Sequence, residues 1–242
     1  MKISKPLCVN NYRRIFRLSG LLLILLTFSA CDGYRPVLEQ KPIVFDQKRK
    51  ELTKEYLKTR YNLPTESVQI EPRMIVLHWT AIPTLEKSFQ AFYSSTLPNH
   101  RSLIKGAGQL NVSAHFLVDR DGKIYQLLPE TTMARHVIGL NHCAIGIENV
   151  GGEEQPLTKE QLKANVWLVK ELKSRYAIDY VIGHHEYTLF EEHPLWLEVD
   201  KGYRTQKTDP GDDFMKRVRS ATSKLGFKPL PVIENTNQNQ HP

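Results

Sequence analysis

Cysteine is scarce in this chain. Three occur in 242 residues, at positions 8, 31 and 143, which leaves no disulfide framework on which a small secreted scaffold could depend. Long apolar runs are missing as well. The longest, LSGLLLILLTFSA from Leu18 to Ala30, has 13 residues, too few for a bilayer span of about 20. No internal repeat is visible, which argues against a solenoid or propeller. Acidic residues are absent from the first 30 positions, where Lys2, Lys5, Arg13, Arg14 and Arg17 stand. That asymmetry accounts for most of the formal charge of +7. Beyond residue 30 the chain carries 28 basic against 26 acidic residues, a balance of +2 that is no footprint for nucleic acid.

What is present at the N-terminus has the grammar of an export signal: a positive flank, a short apolar core, and small residues before a cleavage point. The residues Phe28-Ser29-Ala30-Cys31 resemble the lipobox of bacterial lipoproteins, which predicts acylation of Cys31 as the first mature residue. Ordinary signal cleavage near Ala30 is the alternative. Asp32 directly after the cysteine fits the enterobacterial rule for inner-membrane retention, and the outer membrane is the other destination. The expectation is an exported lipoprotein facing the periplasm. Residues 31–45 are expected to form a tether, residues 46–226 a single folded domain, and the Pro-, Asn- and Gln-rich residues 227–242 a disordered tail.

Within the domain, strands and helices alternate. DQKRKELTKEYLKTRYN (46–62) reads as a charged helix, and Met74–Thr80 as a buried strand. Ser113–Asp119 and Lys123–Leu128 flank Arg120-Asp121-Gly122, a hairpin signal. Ala144–Val150 is a further strand. Thr158 with Gln161 forms a capping box opening a helix that places Leu162, Val166, Val169, Leu172 and Tyr176 on one face. Tyr180–His185 reads as a strand, and residues from Pro210 to about Leu225 as a closing helix stopped by Gly226. The pattern predicts an α/β domain with a central mixed β-sheet flanked by helices, since the hairpin excludes an all-parallel sheet.

Two histidines and one aspartate stand in contexts suited to a catalytic metal. His78 lies in MIVLHWT, His184 in YVIGHHE and Asp209 in QKTDPG, 106 and 25 residues apart. Two His, one carboxylate and an open fourth position form the catalytic type of zinc site, whose water is acidified to a pKa of about 7. Each residue also has an ordinary explanation. His78 suits a buried strand as a backbone-bonded core histidine, and Asp209 before Pro210 suits a helix N-cap. In a regular strand His184 and His185 face opposite sides, which puts His185 behind the site or on the surface. Glu148 in AIGIENV shares a face with Gly146, opposite Ile145 and Ile147. It reads either as a salt-bridged structural acid or as a general acid/base, with Gly146 leaving room for substrate. Lys207 is a candidate oxyanion stabiliser or a solvated surface lysine. His136 in ARHVIGLN and the nearby Asn141 are candidate substrate contacts, and His115 alternates in a strand as a packed core residue would. His100, His142, His193 and His241 carry no supporting context.

The segments VLHWT, SAHFLVDRDGKIYQLLPE, ARHVIGLN, AIGIENVGG, IGHHE and KTDPG, in this order over about residues 73–216, resemble the zinc-dependent N-acetylmuramoyl-L-alanine amidases. This is the type 2 family related to the peptidoglycan recognition proteins. The resemblance implies one Zn²⁺ per chain held by His78, His184 and Asp209, Glu148 as catalytic acid/base, and Lys207 as stabiliser of a tetrahedral intermediate. It implies peptidoglycan or a muropeptide as substrate; the protein is expected to be a monomer. His136 matches the histidine of a WHAG-like loop, with Arg135 and Val137 as departures beside it. The stretch between Glu186 and Lys207 is longer than the family loop, and the helix at 46–62 lies outside the shared pattern. Two other readings are a non-catalytic peptidoglycan receptor on the same fold and a zinc peptidase, although the HExxH signature of many such peptidases is absent.

Overall fold

The computed structural model describes residues 34–98 and 106–232. The signal segment, Cys31, Asp32 and the last ten residues lie outside the described residues. Among the described residues no helix is long and apolar enough to cross a membrane.

Six strands form one sheet: β1 (Leu38–Gln40), β2 (Met74–Trp79), β3 (Phe116–Val118), β4 (Ile124–Gln126), β5 (Ala144–Asn149) and β6 (Tyr180–Gly183). Their spatial order is β1-β4-β3-β5-β2-β6. Only the β3–β4 hairpin is antiparallel; the other pairs are parallel. Among the described residues four α-helices accompany the sheet: α1 (Gln47–Tyr61), α2 (Leu85–Tyr93), α3 (Lys159–Arg175) and α4 (Asp212–Thr222). The predicted mixed α/β architecture is therefore the observed one.

Strand alternation divides the core as the sequence implies. Ile75, Leu77, Ile145 and Ile147 pack with Leu168, Val169 and Leu172 of α3 and with Phe214, Met215 and Val218 of α4. Met74, Val76, Ala144 and Ile182 face the other way, onto Val137, Leu140, Tyr187 and Phe190. Helix α1 is capped by the Asp46 carboxylate, which accepts from the Arg49 N–H at 2.8 Å. Its buried stripe is Arg49, Leu52, Thr53, Tyr56, Leu57 and Tyr61, the spacing of one helical face.

Several expectations are corrected. The stretch expected as a tether contributes β1, which pairs with β4, and Ile43 in it is 4% exposed. The packed unit thus begins before residue 46. The expected disordered tail is packed at its start, since Lys228 donates its N–H to the Asp179 carbonyl and Phe227 lies against the core. Helix α3 has its capping box, but its buried face is Gln161, Ala164, Asn165, Leu168, Val169 and Leu172. The predicted apolar face is rotated because two amides are buried by choice of partner. Gln161 Nε2 donates to the carbonyls of Val118 and Val150, and Asn165 pairs with Asn149 at 2.7 Å. Buried amides are stable when their hydrogen bonds are made inside the protein. Helix α2 and β1 went unpredicted.

The last two corrections concern the site. Strand β6 ends at Gly183, and His184–Phe190 is a 3₁₀ helix, closed by the Glu186 carboxylate accepting the Gly183 N–H at 2.7 Å. The opposite-face rule for His184 and His185 therefore does not apply there. Helix α4 starts after Gly211 as N-cap, so Asp209 is released from capping.

Candidate metal centre and active site

Strand β2 lies between β5 and β6, all three parallel. Their carboxyl ends form one edge, the place where open α/β sheets collect ligands. His78 stands near the end of β2, in Cα register with Glu148 on β5, while Leu77 pairs with Gly183. His184 therefore follows on the other flank of His78. Asp209 arrives from the loop before α4.

These elements bring together the three predicted ligands. His78 Nδ1 lies 2.9 Å from His184 Nδ1 and 3.1 Å from Asp209 Oδ2, and His184 Nδ1 lies 3.1 Å from the same oxygen. All three residues are buried. A tetrahedral zinc with bonds of about 2.0–2.1 Å separates its ligand atoms by roughly 3.3 Å, so the triangle has nearly the right edge. Its protonation also suits a cation. Burial lowers the His184 pKa to about 4, with Asp209 opposing in the other direction, which keeps the imidazole neutral. For Asp209 burial acts upward, but His184 and His78 outweigh it and hold the carboxyl far below its ordinary range. Two imidazoles and one carboxylate are a zinc donor set, and the residues present fit that ion.

The ligands are braced from behind. The His78 carbonyl accepts from Asn149 Nδ2 at 2.9 Å. His185 holds the Asp209 carbonyl twice, through its backbone N–H and through ring Nδ1, each at 3.0 Å. Its Nε2 meets the Asp212 carboxylate at 3.0 Å. A Cβ on Gly183 would come within 2.7 Å of the His185 ring, so the glycine makes room for this hook.

A cavity of about 360 Å³ opens above the triangle, and Glu148 and Lys207 line it. Glu148 is 9% exposed, and Lys207 is half-buried and close enough to bear on the charge of His184. His136 also lines the cavity. Its Nδ1 is 3.1 Å from His78 Nε2, and its Nε2 is 3.2 Å from the Ala144 carbonyl. Burial, then the neighbouring His78, push its pKa well down. Gly146, expected to leave room for substrate, leaves room for this ring instead: a Cβ there would meet His136 Cγ at 2.7 Å. Asn141 also lines the cavity and holds the neighbouring backbone. Its Oδ1 accepts from the N–H groups of His136 and Val137 at 2.8 Å each, and its Nδ2 reaches the Tyr61 and Tyr56 hydroxyls. His115 is the core residue its alternation implied, fully buried between the Thr132 carbonyl and the Gly146 N–H.

Sequence reasoning missed a second group of residues lining the cavity, Tyr56 of α1, Arg135 and Tyr203. The Arg135 guanidinium lies over the Tyr56 ring at 5.1 Å, donates to the Leu110 carbonyl and reaches the Tyr203 hydroxyl at 3.4 Å. Tyr203 belongs to the long segment after Glu186. That segment is clasped by α1, since Arg60 pairs with Glu198 at 2.7 Å and sits over the Tyr203 ring at 4.6 Å. The tyrosines of the α1 stripe were the available signal.

Residues 68–212 match the N-acetylmuramoyl-L-alanine amidase family model, well over half of the chain, and the chain belongs to that family. Among individual relatives, an endolysin of Klebsiella phage KP32 is 32% identical over 88 residues, 34% of this chain and 58% of that protein. The 1,6-anhydro-N-acetylmuramyl-L-alanine amidase AmpD of Citrobacter freundii is 31% identical over 117 residues, 43% of this chain and 63% of the relative. The chain thus spans about three-fifths of the length of these relatives. A solved structure, the N-acetylmuramoyl-L-alanine amidase LysC from Clostridium intestinale URNW, aligns with a TM-score of 0.49 at 21% identity, covering 80% of this chain and all of that one.

Proposed function

We propose that this protein is a zinc-dependent amidase that hydrolyses the bond between the lactyl group of N-acetylmuramic acid and L-alanine in peptidoglycan or its fragments. The observation that carries the reading is the triangle of His78, His184 and Asp209 with Glu148 in register on the adjoining strand. These three residues would hold the zinc, which when bound supplies an acidified water and a Lewis acid toward the carbonyl.

The chain's own groups do the rest. Glu148 removes a proton from the attacking water, and the new C–O bond turns the amide carbonyl into a tetrahedral oxyanion. The Lys207 ammonium donates to that oxyanion. Glu148 returns its proton to the L-alanine nitrogen as the C–N bond breaks, releasing a lactyl carboxylate and a free stem peptide. By the same reading the enzyme is a monomer, exported and acylated at Cys31, and works on the periplasmic side of a membrane.

The test incubates the full-length protein with purified peptidoglycan, with zinc or with chelator, and reads the products by mass spectrometry. Stem peptides beginning at L-alanine, formed only with zinc, are expected. A zinc-loaded protein that binds peptidoglycan and releases nothing would replace the amidase with a receptor.

A further inference from the structure

His136 is a histidine for which the mechanism above has no step. Its surroundings nevertheless fix which of its nitrogens carries the proton. The Ala144 carbonyl can only accept, and it lies 3.2 Å from His136 Nε2, so that nitrogen is the protonated one in the neutral ring. His136 Nδ1 is then an acceptor, and its neighbour at 3.1 Å is His78 Nε2. The hydrogen between them therefore belongs to His78 Nε2. A neutral His78 protonated there has its lone pair on Nδ1, the atom 2.9 Å from His184 Nδ1 and 3.1 Å from Asp209 Oδ2.

We propose that His136 is a positioning residue: it relays the direction of the Ala144 carbonyl to His78, holding that ring in the one tautomer and orientation that turn Nδ1 to the metal. The inference deepens the zinc reading and rests on it. Several features point to a built relay. The His78 and His136 rings meet edge to face at 90°, with centroids 5.1 Å apart. Asn141 Oδ1 fixes the His136 backbone N–H at 2.8 Å. Gly146 provides the only side-chain size that admits the ring. His136 stands 58 residues from His78 and is itself outside the ligand triangle. Groups that orient a ligating histidine through its second nitrogen typically change metal affinity by 10–100-fold.

The test uses the full-length protein and two variants. His136→Phe keeps a ring in the space and deletes the acceptor. His136→Asn offers a side-chain oxygen near the position of Nδ1. Zinc dissociation constants by chelator competition, and the visible spectrum of the cobalt-substituted forms, are the readouts. The expected result is a zinc Kd raised roughly 10–100-fold in His136→Phe with an altered cobalt spectrum, and recovery of most of that affinity in His136→Asn. A His136→Phe protein that binds zinc as tightly as the parent and loses only turnover would overturn the proposal and make His136 a substrate contact. If His136→Phe does not fold, the imidazole nitrogen chemical shifts of the zinc-loaded parent decide, because without the ion the Asp209 carboxylate 3.1 Å away competes for a proton on His78 Nδ1. His78 protonated on Nε2 supports the relay, and His78 protonated on Nδ1 refutes it. Failure of the parent itself to bind zinc would instead sink the underlying zinc reading, which keeps the two failures apart.

Discussion

The two walls of the cavity are built by different means. One is the edge of the sheet, where β5, β2 and the end of β6 set out Glu148, His78 and His184 at backbone spacing. Hydrogen-bonded strands lie about 4.8 Å apart, so this wall has little freedom. The other is assembled from α1, Arg135 and the segment that carries Tyr203, held by side-chain contacts such as Arg60 with Glu198 and Arg135 with Tyr203. The first wall carries the residues proposed for the chemistry, and the second sets Tyr56, Arg135 and Tyr203 against the cavity. The contrast teaches that the candidate ligand and acid/base positions are anchored to main-chain geometry, while the rest of the lining depends on side-chain contacts.

The largest expected effect tests the triangle, to which the first wall gives two histidines and the loop before α4 gives Asp209. Asp209→Ala removes a ligand and should abolish stoichiometric zinc and reduce turnover by roughly 10³-fold, the equivalent of several kcal/mol of lost charge stabilisation; zinc content by elemental analysis and product release measure both. Next, Glu148→Gln should keep its zinc and lose about 10²-fold in kcat. A variant with near-normal kcat would remove Glu148 from the proton transfer.

A pH effect comes third. Burial lowers the His115 pKa from 6.5 to about 4, so the unfolded chain takes up its proton first as the solution is acidified. The stability that His115 contributes is complete above about pH 6.5 and is lost as pH falls toward 4. Between pH 7.5 and pH 5 this amounts to about 2 kcal/mol. In chelator, His115→Gln should therefore show a pH dependence of unfolding free energy shallower by that amount, measured by urea titration at the two pH values. The smallest effect belongs to the second wall. Tyr203→Ala should raise KM a few-fold, about 1 kcal/mol, with kcat and zinc affinity unchanged. A loss of zinc in that variant would erase the distinction between the walls.

Legibility in the sequence follows the same division. His78 and Glu148 were visible because each is a polar residue interrupting an apolar strand of period two, and their shared register follows from the parallel pairing. His184 was found with the wrong local structure. The run YVIGHH reads as a strand until Glu186 turns back to cap Gly183, a contact that depends on Arg219 holding the same carboxylate. Asp209-Pro210 reads as a helix start, yet its oxygen is claimed by two histidines distant in sequence. The α3 face was misjudged because Gln161 and Asn165 are buried by partners on other strands. The second wall was the least readable: nothing local tells Tyr56 or Arg135 that Tyr203 will come to meet them. Helix α2 is a missed signal, with Thr84 as cap and Leu85, Phe89 and Phe92 at helical spacing.

The hook made by His185 has a consequence for how this site could diversify. By gripping the Asp209 carbonyl with both its backbone and its ring, it closes the intervening residues into a loop whose two feet are already fastened. The Tyr187 hydroxyl repeats the fastening, donating to the Thr205 carbonyl and accepting its N–H. Lengthening a loop whose ends are pinned costs only about 0.6 kcal/mol per doubling. The segment between these feet can therefore change in length without pulling His184 and Asp209 apart, so that the lining of the cavity can vary while the triangle of His78, His184 and Asp209 stays where it is.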